Sequence, residues 1–192
     1  MSIKHPIISV TGSSGAGTST VKHTFQQIFR RESVKAVTLE GDAFHRYNRK
    51  EMKKELEKRH AAGDATFSHF SFDANLLPEL EDCFRNYSEQ GTCRYRHYIH
   101  NSNEENLYGA KSGNFTKWKK FEEPSDLLFY EGLHGAVVNE EINLARYADL
   151  KIGVVPVINL EWIQKIHRDT DSRGYSTEAV TDTILRRMHA YV

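Results

Sequence analysis

A glycine-rich turn between a short apolar strand and a helix is the feature that most limits how this chain of 192 residues can fold. The run at 7–10 is short and largely β-branched, which predicts a buried strand. The turn from Gly12 to Ser19 follows it, and apolar spacing over residues 18–31 predicts a helix. Glycines let backbone N–H groups wrap a phosphate, and a helix N-terminus favours an anion. The sequence therefore predicts a phosphate-binding loop.

The predicted loop departs from the usual motif at one position. We assign nucleotide binding to Gly12, Ser13, Ser14, Gly15, Ala16, Gly17, Thr18, Ser19 and Thr20. The pattern G-x-x-x-x-G-K-[ST] has a lysine where this chain has Thr18, while Ser19 matches the magnesium-binding hydroxyl. Either the loop binds nucleotide without rapid chemistry, or a cation from elsewhere takes the lysine's role. The plain alternative is a Ser/Gly-rich turn that binds nothing.

Strand and helix signals alternate along the rest of the chain. Apolar runs predict strands at 34–39, 126–130 and 150–157, and a partly alternating segment predicts another at 93–99. Helical patterns occupy 48–62, the segment from 77 to about 91, the stretch after Val157 and a last segment from Ser176. Segments 63–75 and 101–120 are predicted as loops. This order predicts an α/β fold with a mostly parallel sheet flanked by helices. We expect one domain over 1–192, incomplete at its C-terminus because the last helix carries no stop signal.

Acidic and basic side chains follow two of the predicted strands. Asp42 comes just after the second strand, and Glu131 ends the apolar run at 127–130. Carboxyl ends of parallel strands line the ligand crevice, where Asp42 could accept a proton from a hydroxyl that attacks a phosphate. His45 and Arg49 could hold an anionic substrate, and Glu131 could hold magnesium. A capped turn with a solvated charge cluster is the alternative.

A polar stripe marks the helix after Val157. Glu161, Lys165, Arg168 and Asp169 fall at i, i+4, i+7 and i+8 and share one face. A salt-bridged solvent face is the common explanation of such a stripe. Because this helix follows the end of an apolar strand, Lys165 and Arg168 are also candidates for the missing loop cation. Arg173 extends the basic patch.

Composition narrows the functional classes. Lys and Arg total 26, as do Asp and Glu, so the net charge is zero and a nucleic-acid-binding surface is disfavoured. No apolar stretch approaches the ~18 residues that span a bilayer. Cys83 and Cys93 fit no common metal spacing and are predicted to be reduced thiols of a cytoplasmic protein. The ten histidines form no metal motif, and we single out His45 and His134 for function.

The motifs together resemble bacterial phosphoribulokinases. The matching segments are ISVTGSSGAGTS at 8–19, EGDAFHR at 40–46, FYEGLHG at 129–135 and VVPVINLEWIQKIHRD at 154–169. The resemblance spans nearly the whole chain and implies a P-loop NTPase-like fold. It also implies ATP-dependent phosphorylation of the 1-hydroxyl of D-ribulose 5-phosphate, in the reductive pentose phosphate cycle of carbon dioxide fixation. Cofactors would be ATP and Mg²⁺, the protein a homo-oligomer, and NADH and AMP its effectors.

The resemblance also implies roles for individual side chains. Asp42 would be the general base, Asp169 a second catalytic acid and Lys165 a further catalytic group. Ser19 and Glu131 would belong to the magnesium site. Ligands of ATP or of the sugar phosphate would be Arg168, His45, Arg49, Arg173 and His134. The bacterial type shares a threonine at the position of Thr18, which favours chemistry over an inactive loop.

Two alternatives remain open at this point. A nucleoside kinase similar to uridine kinase would share the loop and the acid after the second strand. Its neutral substrate would not need the basic side chains of His45, Arg49, Arg168 and Arg173. A nucleotide sensor without catalysis would explain the missing loop lysine.

Overall fold

The computed structural model describes residues 4–121 and 124–188, and for 187–188 the backbone alone. The strands are β1 (Ile7–Gly12), β2 (Ala36–Glu40), β3 (Arg94–Tyr95), β4 (Lys119–Lys120), β5 (Leu127–Gly132) and β6 (Leu150–Val154). Four of them form a parallel sheet in the order β2-β5-β1-β6, and β3 pairs with β4 in a small antiparallel ribbon. The predicted α/β fold with a mostly parallel sheet is confirmed.

Six α-helices accompany these strands in the described part of the chain. They are α1 (Thr18–Arg31), α2 (Arg49–Ala61), α3 (Leu77–Gln90), α4 (Ser102–Tyr108), α5 (Ile158–Asp171) and α6 (Thr177–Thr183). A π-helical turn, Ile184–Met188, continues α6. The Asn48 side chain accepts from the backbone N–H of Glu51, whose carboxylate accepts from the Asn48 N–H, so a capping box starts α2.

The central strands are apolar because both faces of the sheet are covered. In β5, Leu128 and Tyr130 point to one face and Phe129 to the other, as successive strand residues must. Side chains of α3, including Phe84, cover the first face, and Phe29 of α1 packs on Phe129. Parallel strands that are buried on both faces are continuous apolar runs in the sequence, and for this reason these strands could be predicted.

Three predicted elements differ from the structure. The predicted surface segment at 101–120 contains α4, which lacks any buried residue and so left no apolar period to detect. The Asn101 side chain caps this helix by accepting from the N–H groups of Asn103 and Glu104. The strand predicted at 93–99 shrinks to β3, and the strand predicted at 150–157 ends at Val154.

The two cysteines are paired in the structure. Cys83 of α3 and Cys93 form a disulfide with their Cα atoms 4.9 Å apart, and both residues are buried. The prediction of two separate reduced thiols is therefore wrong for this structure. Their separation of ten positions did not indicate this proximity, because the turn after α3 brings the chain back on itself.

None of the described helices is both long and apolar enough to cross a membrane.

Candidate active site

The site is built where the parallel strands end. Glu40 of β2 and Glu131 of β5 are partners in the strand register, and Thr11 of β1 lies opposite Gly132. The glycine-rich loop leaves β1 immediately after Thr11, and Asp42 lies two residues beyond β2. Since the register aligns these carboxyl ends, the loop and the acids emerge at one edge of the sheet.

The glycine-rich loop adopts backbone conformations that glycine favours. Gly15 and Gly17 have φ values of 105° and 99°, in the left-handed region. Gly17 is the N-cap of α1, so the free N–H groups of the first helical turn face the loop. A Cβ on Gly15 would lie 2.9 Å from the Glu161 carbonyl oxygen, because α5 packs directly against the loop.

The polar stripe of α5 faces the protein interior. Glu161, Lys165 and Asp169 are only 2%, 2% and 5% exposed, whereas Leu160 and Ile163 on the same helix are about half exposed. The Ser13 hydroxyl donates a hydrogen bond to the Glu161 carboxylate. The interpretation of the stripe as a solvent face is therefore wrong, since these charges are the groups that join α5 to the loop.

Two cations of α5 converge on the glycine-rich loop. The Ser14 hydroxyl oxygen lies 3.3 Å from Lys165 Nζ and 2.9 Å from Arg168 Nη2. Asp169 holds both cations, with distances of 2.7 Å to Lys165 Nζ and 2.9 Å to Arg168 Nε, and Arg173 Nη1 lies 3.3 Å from the same carboxylate. The structure thus brings together the four residues predicted from the sequence and places positive charge at the loop that lacks a lysine.

The electrostatics of this cluster follow from its burial. Burial lowers the pKa of Lys165, Asp169 opposes this by stabilising the ammonium, and the charges of Arg168 and Arg173 lower it further. Burial alone would raise the pKa of Asp169, but hydrogen bonds from Arg168 and Lys165 give a net lowering. Asp169 therefore stays ionised at neutral pH and fixes the cations in place.

A carboxylate and a hydroxyl meet at the start of α1. Glu131 Oε1 accepts from the Thr18 hydroxyl at 2.5 Å, and Glu131 Oε2 lies 3.6 Å from Lys22 Nζ, which binds Glu40 at 2.6 Å. Ser19 is exposed in the first turn of α1, next to Thr18. Carboxylate and hydroxyl oxygens are the ligands Mg²⁺ prefers, and Mg²⁺ takes few protein ligands when phosphates supply the rest. Glu131 and the Thr18 hydroxyl therefore fit a magnesium ion, and the place of Ser19 in such a site stays a prediction.

Asp42 lies in a group of imidazoles. Its carboxylate oxygens are 3.2 Å from His45 Nε2 and 3.4 Å from His100 Nε2, and the side chain is 44% exposed. Burial raises the pKa of Asp42, but His45, then His100 and His69, outweigh it and hold the pKa well below its usual range. Asp42 is therefore a carboxylate at any physiological pH, open to a ligand on one side.

Arg49 and His134, both predicted to bind a ligand, contact groups of the protein in the structure. Arg49 begins α2, and its guanidinium donates to the His100 carbonyl oxygen at 3.1 Å and to Ser112 Oγ at 3.3 Å. It therefore lies on the Asp42 side and also orients His100. His134 is 7% exposed, its Nε2 lies 3.1 Å from the Phe70 carbonyl oxygen, and burial lowers its pKa to about 4. Such burial disfavours direct contact with a substrate, so its assignment as a ligand stays a prediction.

Sequence reasoning missed several residues of the site. They are Lys22, His69, Asn75, Arg96 and His100. The centroid of the His69 ring lies 6.0 Å from that of His45. Burial, then His45, Lys165 and Arg173, lower the pKa of His69 to about 3, against the opposing effect of Asp42. His69 and Asn75 come from the aromatic loop at 63–75, which has no period and carries no motif. The ring of His100 reaches Asp42 from the segment after β3.

Comparison with known proteins identifies the family. Residues 7–192 match the Phosphoribulokinase / Uridine kinase family. The chain belongs to that family. Phosphoribulokinase 1 of Cereibacter sphaeroides is 72% identical over 192 residues, all of this chain and 66% of the relative's length. The phosphoribulokinase of Nitrobacter vulgaris is 64% identical over 189 residues, which cover 98% of this chain and 65% of that protein. The chain thus spans slightly less than two thirds of these relatives.

Solved structures from the family have the same fold. A phosphoribulokinase from Rhodobacter spheroides superposes with a TM-score of 0.83 at 70% identity, covering 98% of this chain and 64% of that one. A possible uridine kinase from Bacillus stearothermophilus is 14% identical with a TM-score of 0.57, covering 97% and 88% of the two chains. The second likeness speaks for the fold alone.

Proposed function

We propose that the protein transfers the γ-phosphoryl group of ATP to the 1-hydroxyl of D-ribulose 5-phosphate, giving D-ribulose 1,5-bisphosphate and ADP. The observation that carries this proposal is that two clusters of charged side chains lie at the same edge of the sheet. The Asp42 carboxylate lies among imidazoles on one side, and Lys165 and Arg168 meet the glycine-rich loop on the other. The high identity to phosphoribulokinases supports the choice of substrate.

On the acceptor side, Asp42 orients the hydroxyl and takes its proton. The 1-hydroxyl oxygen forms a bond to the γ-phosphorus while the bond from that phosphorus to the β,γ-bridging oxygen breaks. The hydroxyl proton passes to an Asp42 carboxylate oxygen, and ADP leaves. A carboxylate with a lowered pKa is a weak base, so it removes the proton late. Late removal suits the loose transition state of phosphoryl transfer.

On the donor side, the cations of α5 take the role of the absent loop lysine. Charge grows on the oxygens around the phosphorus as the bond to the leaving group breaks, and fixed cations stabilise it. Lys165 and Arg168 are held for this by Asp169, within hydrogen-bonding reach of the loop hydroxyl. This arrangement argues against a nucleotide sensor without catalysis, which the missing lysine had suggested.

Ser19 and Glu131 would hold Mg²⁺, with Thr18 as a neighbouring hydroxyl. When bound, the ion neutralises charge on the β- and γ-phosphates. Arg49 and Arg173 would hold the phosphate of the sugar through charge-assisted hydrogen bonds. His45 would attract the same anion by its charge, since both of its ring nitrogens already face acceptors of the protein. A neutral nucleoside would not need this set, which favours a phosphorylated acceptor over uridine.

The proposal extends to the setting of the enzyme. By the resemblance described above, it would act in the cytoplasm in the reductive pentose phosphate cycle, as a homo-oligomer that responds to NADH and AMP. Analytical ultracentrifugation and assays with each nucleotide added test these points separately from turnover.

The test is an ADP-release assay on the full-length protein with ribulose 5-phosphate or uridine as acceptor. We expect turnover with ribulose 5-phosphate, and a loss of about 10²–10⁴-fold in kcat in Asp42→Asn. Asp82→Asn, at an exposed carboxylate of α3, is the matched control. Phosphorylation of uridine alone would overturn the substrate, and full activity of Asp42→Asn would overturn the role of Asp42.

A further inference from the structure

Asn75 has an amide whose orientation is fixed by the backbone around it. The residue is 3% exposed and follows the 3₁₀ turn Phe72–Ala74. Its Nδ2 donates to the carbonyl oxygens of His69 at 3.0 Å and Ser71 at 2.8 Å. Both N–H bonds of an amide are used by these two acceptors, so the amide oxygen must point away from them.

The amide oxygen of Asn75 faces the ring of His45. Asn75 Oδ1 lies 2.8 Å from His45 Nδ1, and because this oxygen can only accept, Nδ1 must carry a proton. Nε2 of the same ring lies 3.2 Å from Asp42 Oδ1, which is also an acceptor. A ring with acceptors at both nitrogens is satisfied only when both are protonated, that is, as an imidazolium.

We propose that Asn75 is a positioning residue that holds His45 as an imidazolium beside Asp42. The backbone supports this arrangement, since the N–H of Arg46 donates to the Ala74 carbonyl at 2.8 Å and that of Leu76 to the Phe44 carbonyl at 2.7 Å. The two segments are thereby tied together on either side of the Asn75–His45 contact. Asn75 contacts the His45 ring on the side away from the Asp42 carboxylate, and it thereby sets both the charge and the orientation of that ring.

The surroundings of the ring agree with this charge. Titratable and charged groups around His45 are Asp42 on its own segment, His69, Arg96, Tyr98, His100 and His134. Burial lowers the pKa of His45, but Asp42 and Asn75 raise it by more, against a smaller opposing effect of Arg96. His69 and His134 stay neutral near pH 7, because burial lowers their pKa values to about 3 and about 4.

The consequence for the proposed reaction is a fixed positive charge next to the base. The charge of an imidazolium attracts an anionic acceptor and keeps Asp42 ionised, whereas a neutral ring with its lone pair facing the carboxylate would do neither. This part rests on the proposed function; the protonation state itself does not.

The test is the ¹⁵N NMR signature of the His45 ring in the full-length protein, assigned with His45→Gln. Both ring nitrogens are expected to give imidazolium shifts at pH 7. In Asn75→Ala the pKa of His45 should fall by about 1–2 pH units, the effect of one hydrogen bond to a charged group. Asn139→Ala removes a hydrogen-bonding asparagine from an exposed turn and should leave the His45 pKa unchanged.

A neutral His45 ring at pH 7 in the unaltered protein would overturn the proposal, whatever the variants do. No fall of the His45 pKa in Asn75→Ala would also overturn it. In the kinase assay, Asn75→Ala should raise KM for ribulose 5-phosphate more than it lowers kcat, with partial recovery at lower pH. If the unaltered protein does not use ribulose 5-phosphate, the proposed function fails while the NMR result still decides the role of Asn75.

Discussion

The Ser13 hydroxyl donates a hydrogen bond to the Glu161 carboxylate, across 148 positions of sequence. The contact joins the glycine-rich loop to the first turn of α5, the helix that carries Lys165 and Arg168. Gly15 adds to the same junction, since α5 occupies the space a Cβ would need. The packing of α5 against the loop, and not a side chain of the loop itself, therefore sets the distance from the loop to Lys165 and Arg168.

The Ser13–Glu161 contact should be measurable as a coupling energy. Ser13→Ala and Glu161→Leu should each weaken ATP binding, because either change removes one of the contacts between α5 and the loop. In a double-mutant cycle, the coupling should be about 1.5–3 kcal/mol, the usual range for a hydrogen bond to a charged group. Isothermal titration calorimetry with ATP provides the measurement. Strict additivity of the two changes would contradict a direct coupling, and Glu57→Leu on exposed α2 serves as the control.

The cations of α5 should matter for the rate more than for the fold. Lys165→Met and Arg168→Gln are each expected to lower kcat by about 10²–10³-fold, as removal of a group that stabilises developing charge does. Circular dichroism should show intact secondary structure in both. Lys54→Met, at an exposed position of α2, is the matched control and should keep its turnover. Unaltered kcat in both α5 variants would mean that another group replaces the loop lysine.

The Tyr130 side chain leaves no room for a side chain at Gly41, the residue directly after β2. A Cβ on Gly41 would lie 2.6 Å from the Tyr130 hydroxyl oxygen and 3.1 Å from the Gly132 Cα, so the segment carrying Asp42 would have to move. Gly41→Ala should cost about 1–3 kcal/mol of unfolding free energy, as overpacking does, and should also lower kcat. Gly153→Ala is the control, because nothing lies within 4 Å of its added Cβ. Urea unfolding and steady-state kinetics measure both, and equal effects in the two variants would contradict the steric account.

Acid should destabilise the protein through its buried neutral imidazoles. The pKa of His134 is lowered by burial to about 4, whereas a histidine in the unfolded chain titrates near ~6.5. Between these values the unfolded state binds more protons, so the free energy of unfolding falls as pH falls from ~6.5 towards 4. His134→Asn should flatten this slope in melting temperatures measured from pH 7.5 to 4.5. An equally steep slope in the variant would assign the acid sensitivity to other groups.

The sequence was informative where chemistry and backbone geometry coincide in a short segment. The glycine-rich loop, Asp42 after β2 and Glu131 in β5 could be placed at one edge because parallel strands align their carboxyl ends. The polar stripe of α5 could be recognised from the sequence. Whether it faces solvent or the protein interior could not be predicted, because helical periodicity shows which residues share a face but not what that face contacts. Here the charged face points inward.

Other residues of the site left no local signal. Asn75 and His69 act through a turn whose shape depends on backbone hydrogen bonds to the segment at 44–46. His100 reaches Asp42 from the segment after β3, and Arg49 donates a hydrogen bond to the His100 carbonyl oxygen. Such contacts depend on tertiary packing, which no spacing rule along the chain encodes.

The long separation between Ser13 and Glu161 also has a consequence for biosynthesis. At roughly 5–20 residues per second, the ribosome needs roughly 7–30 seconds to add the 148 residues from the one after Ser13 to Glu161. During that interval the glycine-rich loop has emerged without the helix that braces it and brings its cations. The proposed nucleotide binding, at full strength, is thus a property that the nascent chain would acquire late, long after its first strand and helix are made.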